Sequence, residues 1–382
     1  MAVVQNRVRE EEKGNMKHID EFTIHSFRGL QDVKLEGLGQ INLLVGDNNS
    51  GKTSVLEALS IFCNSQNRSR WLTVATAREP VLSNLSQDER IVWLFPQREN
   101  DQNLTLSLSA SGTFHTAKVI ASCEQLSENI QFRPQKLIEG EVGIEERERE
   151  VKIVKVHVST SLDQNSLEDH APTVVKADFA FPETRPRPIK KGPDDAVLPS
   201  QLLHSSSHRL SNIPPLLWSD VVNTETKPDV IHLIRLFDTH IQDVDIVLSA
   251  VERPTVSVKH EKLKRAPLTT FGDGLRRVFT LASAIPSARN GLLLIDELEM
   301  AIHFGALEKT LDWLIKLCIQ ENVQLFVTTH SLETVDALID ACKDSADLTT
   351  YRLERYKEKI AVTRLDEETL TTLREGMGLE VR

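Results

Sequence analysis

Val45-Gly46-Asp47-Asn48-Asn49-Ser50-Gly51-Lys52-Thr53-Ser54 decides how this chain is read. It follows a short apolar run, Ile41-Asn42-Leu43-Leu44-Val45, and opens into Val55-Leu56-Glu57-Ala58-Leu59. The spacing is G-x-x-x-x-G-K-[ST] between a buried strand and a helix, the context in which that pattern cradles phosphate. Gly46 and Gly51 let backbone N–H groups turn inward around phosphate oxygens. The helix N-terminus behind them adds its partial positive charge. Lys52 is then placed to reach the terminal phosphates, and the Thr53 hydroxyl to hold Mg²⁺. The loop from Gly46 through Asn48, Asn49, Ser50, Gly51 and Lys52 to Ser54 is the expected nucleotide cradle.

Working outward, Lys17 to Phe27 predicts a strand, Phe27-Arg28-Gly29-Leu30 a turn, and Val33 to Glu36 a second strand. The cradle therefore lies behind two antiparallel strands. Downstream, Gly291-Leu292-Leu293-Leu294-Ile295 predicts a strand buried on both faces, as a parallel sheet between helices demands. It ends in Asp296-Glu297. Carboxylates at the carboxyl end of such a strand sit where ligands bind in open α/β sheets, and two buried together need a cation. Asp296 is expected to hold Mg²⁺ and Glu297 to polarise the attacking water. A third strand, Val323 to Thr329, ends at His330, which is placed to bond the γ-phosphate or the water. Thr269-Thr270-Phe271-Gly272-Asp273-Gly274 predicts a turn before a helix from Leu275 to Ala284. Arg276 and Arg277 fall in its first turn, where positive charge is unfavourable unless an anion or acidic partner arrives.

The bulk composition narrows the class. The chain has 382 residues and a net charge of −11, which opposes non-specific DNA binding over the whole surface. Local basic clusters stand at Arg185 to Lys191 and Lys259 to Arg265. The four cysteines have no paired spacing, so they read as small buried hydrophobes of a reducing compartment. No apolar run is long enough to span a membrane, and the charged residues 1–16 read as a disordered tail rather than a signal peptide. The expected location is the cytoplasm. His204 and His208 have no third ligand nearby in sequence, which disfavours a metal site there. Residues 64–250 change in pattern. Strands are predicted at Ile91 to Phe95, Leu104 to Leu108, Ala117 to Ile120 and Val151 to Val156, with a charged loop edge at Glu145 to Glu150. A Pro-rich linker follows at Pro182 to Pro199, then a helix over Asp229 to Phe237. A strand at Thr255 to Val258 precedes the Gly-rich turn, and a hairpin and short helix close the chain after Leu348.

With these pieces in hand, the sequence resembles the ABC-type P-loop ATPases of the SMC, RecF and OLD group, in particular the stand-alone AAA family ATPases of bacterial anti-phage loci. Two blocks carry the likeness, Lys17 to about Ser60 and about Leu268 to the C-terminus. They contain Phe27-Arg28-Gly29-Leu30, the Walker A loop, a Gly272-Asp273-Gly274-Leu275-Arg276-Arg277 signature, the Walker B strand and Thr328-Thr329-His330-Ser331. The resemblance implies an α/β fold: an ABC-type ATPase head with N-terminal antiparallel strands, a parallel core sheet flanked by helices, and a large mixed β/helical insertion. On this reading residues 17–120 and 250–382 form the discontinuous core, and 121–249 the insertion. It implies a slow ATPase using ATP and Mg²⁺, whose heads pair as a homodimer or higher even-numbered oligomer. In such a pair, Gly272, Asp273 and Gly274 of one chain meet the nucleotide of the other, and Arg28 lies near phosphates or base. A separate effector such as a TOPRIM nuclease is the implied partner. The alternative is a DNA repair or recombination ATPase of the RecF or SMC type that binds nucleic acid. An ABC transporter motor fits less well, and a form that holds ATP with negligible turnover is a further alternative. Three departures stand out. Phe271 replaces the signature serine, leaving Thr269 or Thr270 to supply a hydroxyl. Glu299-Met300-Ala301-Ile302-His303 replaces the usual Glu-Asn-Gly-Leu-His. The glutamine that joins Mg²⁺ to the mobile lobe is assigned to Gln97.

Overall fold

The computed structural model describes residues 17–78, 85–97, 104–132, 147–163, 172–183, 196–210, 213–248, 254–343, 345–357 and 359–376. The expected tail 1–16 and the basic cluster Arg185 to Lys191 lie outside the described residues. Strands β1 (Ile19–Phe27) and β2 (Leu30–Glu36) form the expected hairpin, and β3 (Ile41–Val45) feeds the Gly-rich loop. Strands β4 (Leu104–Gly112), β5 (His115–Phe132), β6 (Arg147–Asp163) and β7 (Thr173–Pro182) extend that hairpin into one antiparallel sheet, ordered β2-β1-β4-β5-β6-β7. The N-terminal strands and much of the poorly matching middle region are thus one sheet. Strand β5 runs straight through residue 120, the expected domain boundary. A short strand β8 (Ser200–Leu203) falls inside the expected insertion by sequence but joins the core sheet. Strands β9 (Ile241–Leu248), β10 (Pro254–His260) and β11 (Lys264–Pro267) make a small separate sheet.

The core sheet is completed by β12 (Leu292–Ile295), β13 (Gln324–Thr328), β14 (Leu348–Tyr356) and β15 (Lys359–Asp366), in the order β15-β14-β3-β13-β12-β8. All neighbours are parallel except the terminal β14–β15 hairpin. Every residue of β3, β12 and β13 is buried, which is what cover on both faces requires. The helix Lys52–Cys63 lies between this sheet and the antiparallel one. From Ser54 to Cys63 each of its side chains is buried, so its apolar character runs all round rather than along a stripe. Phe62 meets Phe22 edge-on at 5.7 Å across that seam. Helices Phe304–Gln320 and Leu332–Cys342 cover the other face. A third apolar cluster joins β9 and β10 to helices Ile213–Asn223, Lys227–Arg235 and Asp273–Ala284. The four cysteines are free and buried, as expected.

Gln324 ties the two sheets together. Its Oε1 accepts from the N–H groups of His18 and Ile19 at 3.1 and 2.9 Å, and its Nε2 donates to the carbonyls of Ile19 and Gly39 at 2.9 and 2.8 Å. Gln324→Leu would take this partner from the buried His18 and Ile19 N–H groups and the Ile19 carbonyl, each costly when unpaired, while the Gly39 carbonyl keeps Asn42 Nδ2 at 2.8 Å. We expect a loss of about 3 kcal/mol, read as a lower urea midpoint at unchanged slope.

One element differs in kind. The stretch Ile91 to Phe95 is not a strand: Gln87–Val92 is a helix, followed by a turn at Trp93. Ser86 and Glu89 make a reciprocal capping box, with the Ser86 N–H donating to Glu89 Oε2 at 2.9 Å. The S-x-x-E spacing was the signal for it. Ile91, Leu94 and Phe95, spaced for one helical face, are all buried.

Candidate functional site

The Gly-rich loop closes over its own lysine. Lys52 Nζ donates to the carbonyls of Gly46 and Asp47 at 2.6 and 2.9 Å. Two glycines are required by space and angle. A side chain at Gly46 (φ +138°) would come within 2.1 Å of Leu353 O, and one at Gly51 (φ +101°) within 2.7 Å of Leu30. The carboxyl ends of β3, β12 and β13 converge in front of the loop. Thr53 Oγ1 and Thr328 Oγ1 both donate to Asp296 Oδ1, at 2.9 and 2.8 Å. The Glu297 N–H donates to Thr328 Oγ1 at 2.8 Å, and the His330 N–H to Glu299 Oε1 at 2.9 Å.

These groups line one cavity of about 240 Å³, in which Asn49, Ser50, Gly51, Lys52, Thr53 and Ser54 face Asp296, Glu297 and His330. Thr328 and Arg78 complete its wall. Asn48 stands exposed at the loop tip. The oxygen-rich donors suit a hard cation: a threonine hydroxyl and a carboxylate at the mouth of a phosphate cradle. Ser50 Oγ is buried and has no hydrogen-bond partner, a position a phosphate oxygen would fill. Both observations fit a magnesium nucleotide.

Charge is concentrated here. Burial pulls the Lys52 ammonium below its ordinary pKa, while the Asp296, Asp47, Glu297 and Glu299 carboxylates oppose that pull. Burial, then the charges of Asp296 and Glu299, push the Glu297 carboxyl up, against Arg277 and Lys52. Glu297 is well suited to take a proton.

Beside this cavity lies a second, of about 560 Å³, which shares Asn49, Gly51, Ser54 and Arg78 with it. Arg28 lines this second space and pairs through Nε with Glu57 at 2.9 Å. Gln97 also lines it, and Gln97 Nε2 donates to the carbonyls of Val92 and Phe95. Gln97 is therefore not among the groups that meet Asp296 and Thr53. At the carboxyl end of β8, His204 comes off the sheet level with Asp296, because Leu203 pairs with Ile295 and accepts from the Asp296 N–H at 2.8 Å.

Sequence reasoning misses two residues and misreads a third. Glu57 is fully buried and held by Arg28 and, through two bonds of 2.7 and 2.6 Å, by Arg78. Its signal was a lone charge in an apolar helix, one turn after Thr53. Arg78 also donates to Ser54 Oγ at 2.9 Å; nothing in its polar surroundings marked it. The third is Arg277, where the expected anion-seeking pair is corrected. Arg277 is 0% exposed and donates to the carbonyls of His204, Asp296 and Glu297. Arg276 donates to Asp273 at 3.1 Å and to His208 O at 2.9 Å. The positive charges are consumed inside the chain. Gly272 is exposed, and the turn Gly272 to Gly274 lies outside its own chain's cavity.

His208 lies buried under this turn, and neither ring nitrogen has a hydrogen-bond partner. Burial first, then Arg277, holds its pKa down to about 4, against the pull of Asp273. The unfolded chain takes up this proton near pH 6.5 and the folded one only near 4, so stability falls as pH drops through that window. We expect a loss of about 2–3 kcal/mol between those limits. His208→Leu should flatten this part of the stability profile, measured by urea unfolding at stepped pH.

Fold and site together define a P-loop ATPase domain. A family model described as "AAA domain, putative AbiEii toxin, Type IV TA system" matches residues 140–336, just over half of the chain, and the protein belongs to this family. A second model, "AAA ATPase domain", matches residues 16–181 and takes in the Gly-rich loop. A Helicobacter pylori protein named ATP/GTP phosphatase is 23% identical over 340 residues, covering 84% of this chain and 87% of its own. The RecF replication and repair protein of Xanthomonas oryzae pv. oryzae is 50% identical over 45 residues, 12% of either chain. Among solved structures, an Smc head domain with an extended coiled coil, bound to the C-terminal domain of ScpA and derived from Pyrococcus furiosus, aligns with a TM-score of 0.51. It is 8% identical and covers 95% of this chain and 100% of that one, a likeness of fold alone. Among the described residues, no helix is long and apolar enough to cross a membrane.

Proposed function

We propose that the protein binds ATP with Mg²⁺ and hydrolyses it slowly as a switch, two heads pairing face to face around the nucleotide. The observation that carries this is the convergence of Lys52, Thr53, Asp296, Glu297 and His330 on one cavity from three separate strand ends. Lys52 exchanges the Gly46 and Asp47 carbonyls for terminal phosphate oxygens. Thr53 and Asp296 would hold the metal ion, which would neutralise phosphate charge. Glu297 takes a proton from the attacking water as the water oxygen bonds to the γ-phosphorus and the bond to ADP breaks. His330 orients that water or the γ-phosphate. The exposed turn Gly272 to Gly274 offers backbone N–H groups and a helix N-terminus to the nucleotide of the paired chain.

We assign the biological role to bacterial defence, with a separate effector such as a TOPRIM nuclease. The toxin–antitoxin wording of the family description accords with that role. The nucleic-acid alternative gains little from the fold. In the Lys259 to Arg265 cluster, Arg265 is paired with Asp245 at 3.1 Å, and Glu261 sits within the same stretch. The test is phosphate release from ATP by the purified chain in Mg²⁺, with mass followed by light scattering. Release together with ATP-dependent doubling of mass is expected. The absence of both release and doubling would refute the proposal.

A further inference from the structure

The loop that carries Glu297 is held under strain from two sides. Glu297 has φ +48° and Ala301 φ +63°, a left-handed conformation that side chains other than Gly and Asn rarely adopt. Such a conformation persists only where neighbours over-determine it. On one side, the Glu297 N–H is bonded to Thr328 of β13. On the other, the Glu297 carbonyl accepts from Arg277 Nη2 at 3.0 Å. The same nitrogen reaches Asp296 O at 3.0 Å, and Nη1 reaches His204 O at 2.8 Å.

One buried guanidinium therefore gathers the ends of β8 and β12 onto helix Asp273–Ala284. That helix begins at the Gly272 to Gly274 turn. Its first turn also packs directly on the loop after Glu297, since a side chain at Gly274 would come within 2.9 Å of Ala301 O. The exposed turn and the carboxylate loop are joined at two points, and a shift of one displaces the other. The guanidinium fork suits this role: it is rigid and meets three carbonyls at once, where an ammonium is a single point.

We propose that Arg277 is a positioning residue that transmits contact at the Gly272 to Gly274 turn to Glu297 of the same chain. This rests on the proposed hydrolysis by paired heads. In that arrangement the turn touches the partner's nucleotide, so Arg277 couples one site to the other. Occupancy of the second site aims the carboxylate of the first.

The test uses the full chain carrying Arg277→Lys or Arg277→Met. With Arg277→Lys we expect the far-UV spectrum and the Kd for ATP and Mg²⁺ to stay within about twofold of the parent. We expect kcat to fall about tenfold or more, as small misplacements of reacting groups do. The Hill coefficient for ATP should drop towards one. Arg277→Met, which makes none of the three bonds, should lose more of kcat. A purely structural cation would instead lower kcat and affinity together or neither, and either result overturns the inference. If neither variant folds, hydrogen exchange in a Glu297→Gln chain replaces them. ATP must then change protection over residues 272–278 and 296–301 together, and a change in one segment alone overturns the inference. A parent chain that leaves ATP uncleaved refutes the proposed function itself. A parent that cleaves ATP cooperatively, beside an unimpaired Arg277→Lys, refutes only the role of Arg277.

Discussion

Lys52→Ala is expected to remove ATP binding at all concentrations up to about millimolar. In the free loop the ammonium is held by two carbonyls at the centre of the cradle. A triphosphate takes over those bonds as charge-assisted ones, each worth about 1.5–3 kcal/mol. Removing this lysine from the cavity lining therefore costs about a hundredfold in affinity or more. The fold should survive, because the ammonium is desolvated in the free chain and its loss relieves that burden. Titration calorimetry against ATP and Mg²⁺ checks this; an affinity within threefold of the parent would place the phosphates elsewhere.

Glu297→Gln carries the other large effect. The amide keeps the size of the side chain but cannot accept a proton, so kcat should fall by about 10²–10⁴ while ATP affinity holds. The paired state should then outlive its nucleotide-driven formation, visible as a persistent doubled mass. In the metal-free chain, burial and the neighbouring Asp296 and Glu299 carboxylates lift the pKa of this group above the ordinary 4.5.

Most of the core was legible because its signals are local. The cradle, the apolar strand ending in Asp296-Glu297 and the strand ending at His330 each announce themselves within ten residues. Parallel strands of continuous apolar residues then leave little choice of architecture. What was not legible depends on pairing across the chain. Residues 121–249 read as an insertion because their strands alternate like any surface sheet, and the pairing that runs from β1 through β4, β5 and β6 to β7 has no local signal. Strand β8 is four residues long and follows a Pro-rich stretch, so nothing local marks it as a neighbour of β12. Arg276 and Arg277 were read by their place in a helix, where two positive charges look unpaired. Apart from the Asp273 carboxylate, their partners, His204 O, His208 O, Asp296 O and Glu297 O, are backbone atoms that no side-chain pattern reveals. Gln97 was assigned by its position after an apparent strand, and that strand is a helix end.

The most direct measurement follows phosphate release and bound ATP together, in the parent chain and in Glu297→Gln, at saturating ATP with Mg²⁺. The account predicts equal occupancy in both chains, with release at least about a hundredfold slower in Glu297→Gln. Equal release from the two chains would contradict it.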